Sequence, residues 1–259
     1  SDVCCSYLRG DDGTGGGKIY RILTHNDPNI ANWTLREVIN LRHPITAEGS
    51  VATDDKGNLW VYFGTGKYIS NVDVGNTQIQ MFTGIKDDTS RLTPIDTTML
   101  ANVTPVKVFD DSVTGITGVH TFEQLVSYVD ARSGWFRRLD SMPGERVVTS
   151  PIIIGGAVIY TSFIPQDTTH GPLTGPDLCI GSQGGPQAGN LWALYYLTGT
   201  AYKISMLGDD STNGSHLTHT RIIGDMPSEP SMPIGKQLEK TFIHSAGGLI
   251  GIQIPLPYN

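Results

Sequence analysis

The chain is short of charge, of basic residues, of cysteine and of long apolar runs, and each shortage removes a class of protein. Only 17% of its 259 residues are charged, and 18 Lys and Arg stand against 25 Asp and Glu, a net charge of −7. Such a surface does not neutralise phosphates, so nucleic acid is excluded as a partner. No apolar run reaches the roughly 18 to 20 residues that a membrane-spanning helix needs. The three cysteines, Cys4, Cys5 and Cys179, form no CxxC or CxxCH, which removes thioredoxin-type redox chemistry and c-type haem attachment. Three thiols allow at most one disulfide; a bridge from Cys179 to Cys4 or Cys5 and three unpaired thiols are both open readings. No GxSxG elbow occurs, and "GSQGG" (Gly181–Gly185) places Gln after the serine, so it reads as a turn. A signal peptide is missing too. The chain opens on Ser1 rather than Met, the expected start of a processed or truncated product.

What is abundant is turn-forming residues: 31 Gly and 15 Pro imply many turns and few long helices. Asp54-Asp55-Lys56-Gly57-Asn58 is a hairpin turn, because Gly and Asn accept the positive φ of tight turns. Behind it Leu59, Val61 and Phe63 alternate with Trp60 and Tyr62, the pattern of a strand with one buried face, and "SVAT" supplies the partner. The same grammar recurs at Gly15–Thr24, Gly57–Gly66, Gly155–Pro165, Gly189–Ile204 and Gly247–Ile254, each a glycine turn followed by an apolar or aromatic strand. "GSVAT", "ERVVTSPIII" and "KTFIHSA" read as strands preceding three of these turns. Irregular repetition of Gly-aromatic hairpins predicts an all-β chain built as a β-propeller of four-stranded blades. About fifteen strands make about four blades, with long insertions between some of them.

Two segments depart from this grammar. Phe122, Leu125, Val126 and Val129 have helical spacing with Thr121 as N-cap, predicting a short amphipathic helix over Phe122–Asp130 on an insertion. "NWTLREVIN" (Asn32–Asn40) reads as a strand, with a second short helix as the alternative. From Gln166 to Ala188 apolar periodicity disappears, which predicts a long projecting loop.

Candidate chemistry is sparse. "GTGGG" (Gly13–Gly17) has no helix after it and reads as a turn rather than a phosphate cradle. His216 and His219 lie three apart in a loop-like context, where that spacing does not suit a metal. Asp54-Asp55, Asp110-Asp111 and Asp209-Asp210 read as solvated turn carboxylates. Trp60, Tyr62, Trp135, Trp192, Tyr195 and Tyr196 read as packing residues. With no nucleophile and base at recognisable spacing, the expectation is a protein without catalysis.

Three ordered blocks carry a family resemblance: "WVYFGTGKYI" (Trp60–Ile69), "GWFRRLDSMPGERVVTSPIIIGGAVIYTSFIP" (Gly134–Pro165) and "DLCIGSQGGPQAGNLWAL" (Asp177–Leu194). In that order they resemble the C-terminal β-propeller of the PilC/PilY type IV pilus tip proteins. The resemblance runs from about Gly15 to about Tyr202 and implies one domain over 1–259, with Trp60, Tyr62, Gly64, Gly66, Trp135 and Trp192 as blade signature. It implies a role in pilus assembly or retraction and surface adhesion, at the extracellular pilus tip after export through the periplasm. Minor pilins are the implied partners. Members often carry a "DxDxDG" calcium loop; here only Asp11 and Asp12 stand at that place, so no cofactor is expected. Cys179 occupies the family's "DxC" position, which makes its bridge to Cys4 or Cys5 the expected disulfide. The family implies about seven blades, so the ring is expected to be completed by other polypeptide. The terminal strands near "KIYRILT" and "LIGIQI" would then meet that polypeptide. The alternatives are a quinone-dependent periplasmic dehydrogenase, suggested by the adjacent Cys4-Cys5 and the tryptophans, and a carbohydrate-binding propeller. No cation-binding Glu/Asn/Asp set accompanies the cysteines.

Overall fold

The computed structural model describes residues 5–11, 13, 15–165, 188–223, 226–231, 240–245 and 248–253. The chain is mostly β. A first antiparallel sheet joins β1 (Cys5–Asp11), β2 (Gly17–Leu23) and β3 (Thr34–Asn40) in chain order. The second contains β4 (Ser50–Thr53), β5 (Leu59–Gly64), β6 (Gln80–Asp87), the short β7 (Ala101–Asn102) and β10 (Gly134–Leu139), ordered β4-β5-β6-β10-β7. Between β7 and β10 the chain makes a small hairpin, β8 (Lys107–Val108) with β9 (Val113–Thr114), and then helix α1 (Phe122–Asp130). The third sheet runs β11 (Ile152–Ile154), β12 (Ala157–Ile164), β13 (Ala188–Tyr195), β14 (His219–Ile223), all antiparallel. A hairpin of β15 (Lys240–Ser245) and β16 (Gly248–Gln253) follows. Among the described residues no sheet closes on itself.

Local chemistry explains most of these elements. The turn before β5 is held by Asp54, whose carboxylate accepts from Lys56 N–H at 2.9 Å and Asn58 N–H at 2.8 Å. Helix α1 begins at a reciprocal cap: Gln124 N–H donates to Thr121 Oγ1, and Thr121 N–H to Gln124 Oε1, both at 3.2 Å. Leu125 and Val129 form its buried stripe, and Phe122 packs on the rings of Tyr195 and Tyr202. It is the one α-helix among the described residues, beside three short 3₁₀ turns. "TLREVIN" is a strand, as expected.

Several expectations are corrected. Strand β5 is buried on both faces, not one: Trp60 and Tyr62 enter one core cluster, Val61 and Phe63 another. The sheet is covered on both sides, so alternation of aromatic and aliphatic residues marks two cores rather than inside and outside. Asp54 is not a solvated carboxylate; it is only 9% exposed because it anchors its own turn and Trp60. Gly189 is not a turn residue: it lies inside β13 opposite Phe163. A Cβ there would stand 2.3 Å from Ser162 O and 2.5 Å from the Pro227 ring, so its glycine serves close packing. The first strand is also not the one in "KIYRILT" but β1, in the preceding "SYLRGD".

The first sheet docks by its inner face. Ile19, Val38, Ile39 and Leu41 pack with Val61, Phe63 and Ile85 of the second sheet. Across this seam the buried Arg21 on β2 pairs with Asp87 on β6, and Tyr7 Oη donates to Asp87 Oδ2 at 2.6 Å.

Candidate functional site

The described residues of the three sequence blocks, of the third only Ala188–Leu194, meet where the second and third sheets face each other. The meeting point is the segment 144–147, which stitches the two: Arg146 N–H donates to Phe163 O at 2.9 Å and Arg146 O accepts from Phe163 N–H at 2.7 Å, while Val147 N–H donates to Thr65 O at 3.0 Å. Val147 fits against Gly64 and Gly66, where any Cβ would collide with it.

Glu145 is the hub of this seam and is wholly buried. Its Oε1 accepts from Ser162 Oγ at 2.5 Å, Asn190 Nδ2 at 2.8 Å and Trp192 Nε1 at 3.2 Å, and its Oε2 from Ser141 Oγ at 2.9 Å. A buried carboxylate survives only when its oxygens are satisfied, and here four neutral donors from β12, β13 and the 141–145 turn do so. Arg146 gathers a loop instead, donating to Lys67 O and Asp73 O at 2.8 Å each, Asn76 O at 2.6 Å and Gly144 O at 2.8 Å. The third buried charge, Arg137 on β10, donates to Gly199 O, Val103 O and Thr104 O. Burial pulls its pKa down to about 10, against the opposing influence of Tyr160 and Asp140.

Aromatic rings run through the same seam. Trp60 stacks with Tyr62, whose ring lies 6.2 Å from Trp135; Trp135 is 6.1 Å from Phe82. Phe82 stacks on Tyr160 at 3.8 Å, Tyr160 on Trp192 at 5.7 Å and Trp192 on His219 at 4.2 Å. Trp135 is clamped by glycines: a Cβ on Gly84 would stand 2.6 Å from its ring and one on Gly199 2.2 Å. Its indole N–H donates to Tyr196 O at 2.9 Å. Burial lowers the pKa of His219, with Glu145 acting the other way. Trp60 is anchored at the far end by its N–H to Asp54 Oδ2 at 3.0 Å. Burial works against the charge of Asp54, but the hydrogen bonds from Trp60, Asn58 and Lys56 outweigh it and hold the carboxyl below its ordinary value.

The accessible part of this region lies around Asp130 at the end of α1. Its carboxylate bridges Lys56 at 2.6 Å and Lys86 at 3.1 Å. On one side of the bridge Trp60, Val126, Tyr195 and Leu197 line a cleft of about 210 Å³.

The structure therefore brings Trp60, Tyr62, Trp135, Trp192, Tyr195 and Tyr196 into one core cluster. It separates His216 from His219: the first is buried among the turns, the second lies on Trp192. Among the described residues no group of three or more His, Cys, Asp or Glu is gathered as for a metal. Asp11 ends β1 opposite Gly17, while Asp12 lies outside the described residues. So do Cys4, Cys179 and the loop from Gln166 up to Ala188, which itself opens β13; Cys5 opens β1 opposite Leu23. Sequence reasoning singled out none of Glu145, Arg137 or Arg146. The only trace was their place in the "GWFRRLD" and "GERVV" runs.

No protein-family profile matches the chain. Two curated relatives, each a "Type IV pilus biogenesis factor PilY1 homolog" of Xylella fastidiosa (strain Temecula1), align with it. One is 28% identical over 123 residues, 46% of this chain and 10% of the relative; the other is 27% identical over 128 residues, 48% and 8%. The fold matches the crystal structure of the Pseudomonas aeruginosa PilY1 C-terminal domain with a TM-score of 0.60 at 14% identity, over 97% of this chain and 60% of that one. The chain is thus similar over about half its length to PilY1 homologs and shares its fold with a PilY1 C-terminal domain. It spans about a tenth of the length of the curated PilY1 homologs it matches.

Proposed function

We propose that this PilY1-type domain serves type IV pilus biogenesis as a non-enzymatic, tip-associated part of a longer protein. In this reading it supports pilus assembly and retraction and surface adhesion, from the extracellular end of the pilus. The observation that carries the proposal is the convergence of the described residues of the three sequence blocks on one buried seam. The residues shared in type with PilC/PilY proteins build the scaffold, and such scaffolds present variable loops to partners. In this reading the antiparallel runs β4-β5-β6-β10, with β7 added in parallel at the edge, and β11-β12-β13-β14 are taken as two blades. In the same reading the three-stranded first sheet and the β15–β16 hairpin belong to blades that further polypeptide completes. Minor pilins are the proposed partners, and the loops around Asp130 offer them a rigid surface.

Co-expression of the chain with the minor pilins of a type IV pilus system, followed by affinity isolation, tests this. The expected result is a stoichiometric complex that survives gel filtration. A chain that elutes alone, or one that reduces an electron acceptor at the expense of an alcohol, overturns the proposal.

A further inference from the structure

The cleft beside Asp130 has a make-up that the seam does not require. Its floor is apolar: Trp60 is 1% exposed and Tyr195 6%, and Val126 of α1 and Leu197 join them. Its rim is charged, carrying Asp54, Asp55, Lys56 and Asp130. At about 210 Å³ it is smaller than the roughly 300–1,000 Å³ of a small-molecule pocket, and its size suits one side chain.

The rim carries more negative charge than its own cation answers. Lys56 Nζ lies 2.6 Å from Asp130, and Lys86 holds the same carboxylate at 3.1 Å from outside the cleft. Asp54 keeps its charge on neutral donors alone, the N–H groups of Lys56, Asn58 and Trp60, and the Lys56 ammonium acts on it only through its field. Asp55 is exposed and makes no ion pair among the described residues. Asp130 ends α1, so the negative pole of the helix dipole adds to the same field. Apolar walls focus such a field into the cleft. Among the described residues no three His, Cys, Asp or Glu are gathered as for a metal, which makes an organic cation the complement.

We infer that this cleft receives a lysine side chain from a partner protein. Lysine has the matching division: a flexible alkyl stem that packs on apolar surface and an ammonium that stays at the edge of water. The stem lies on Val126, Leu197 and the two rings, and the ammonium faces Asp55 within the field of Asp54. The inference deepens the reading of the loops around Asp130 as the partner surface and rests on it.

NMR titration of the 259-residue chain with Nα-acetyl-lysine methyl ester tests the cleft, with the norleucine ester as a neutral probe of the same stem and calcium chloride as a metal probe. The lysine probe should shift the Trp60 indole N–H and the amides of Asp55 and Val126 in a saturable way, while the Trp192 indole N–H stays in place. The norleucine probe should bind about tenfold more weakly. Asp55→Asn should weaken the lysine probe about threefold, the worth of one exposed ion pair. Equal binding of the norleucine probe, calcium shifts in place of lysine shifts, or an undisturbed Trp60 indole overturns the inference. The neutral probe is compared on the unmodified chain, so the test does not depend on a variant that folds. Minor pilins that bind the parent and Asp55→Asn equally, with no response to the lysine probe, overturn the cleft and leave the biogenesis reading standing. A lysine probe that binds while minor pilins do not supports the cleft and removes pilins as its partner.

Discussion

The seam between the second and third sheets and the outer face of the first sheet use similar residues to opposite ends. At the seam, Trp135, Tyr62, Tyr160 and Phe82 are fully buried and every oxygen of Glu145 has a donor. On the first sheet, Leu35 is 59% exposed and Leu8 is exposed as well, as are Ile30 and Trp33 in the β2–β3 connection. Strand register puts Leu8 opposite Tyr20, and Leu35 opposite Ile22, on that outer face. The lesson is that a Gly-aromatic hairpin reports a strand, whereas burial depends on whether another sheet covers it. The second sheet is covered by a sheet on each side and the third by the second sheet and the 202–207 segment, whereas the first sheet has one neighbour among the described residues.

Breaking the seam should cost most. Glu145→Ala takes the shared acceptor away from the buried Ser162 and Asn190, leaving Trp192 only Ser162 Oγ, and we expect a loss of about 4 kcal/mol in denaturant unfolding. Trp135→Ala removes the ring between Gly84 and Gly199 and should cost about 3–5 kcal/mol. A change below about 1 kcal/mol in either would contradict the seam as the point where the sheets are joined.

Gly199→Ala sharpens the comparison at smaller scale. It asks for a Cβ against Trp135 at a φ of +66°, and overpacking of this kind costs about 1–3 kcal/mol. Asp54→Ala should cost about 1–2 kcal/mol, because it strands the Trp60 indole N–H and opens the turn. Its pH dependence has a definite sign. A carboxyl held below its ordinary value in the folded chain stabilises above the ordinary aspartate range, and that stabilisation is lost as pH falls through the folded value. Acid unfolding should therefore be less steep in Asp54→Ala than in the parent.

Much of the fold was legible in the residues. The Asp54–Asn58 turn, the β4–β5 pairing, the α1 helix with its Thr121 cap and β3 follow from local rules, because turn and cap chemistry act over a few residues. Glu145, Arg137 and Arg146 were not legible, because each is defined by partners far away in sequence; Trp192 stands 47 residues from Glu145. A charged residue in a short run reads as surface unless the fold supplies its donors. Asp54 misled for the same reason, being both a turn residue and the partner of a buried indole.

The smallest expected effect lies on the open face. Leu35→Ser should change stability by less than about 0.5 kcal/mol, since the side chain is already largely in water. If it weakens minor-pilin binding instead, that face belongs to the partner surface.

The central proposal is that this PilY1-like chain works in pilus biogenesis. Its most direct test is to count surface pili by electron microscopy after in-frame deletion of these 259 residues from the full-length gene. The account predicts loss of surface pili, restored by the intact gene but not by one carrying Glu145→Ala. Normal piliation in the deletion strain would contradict it.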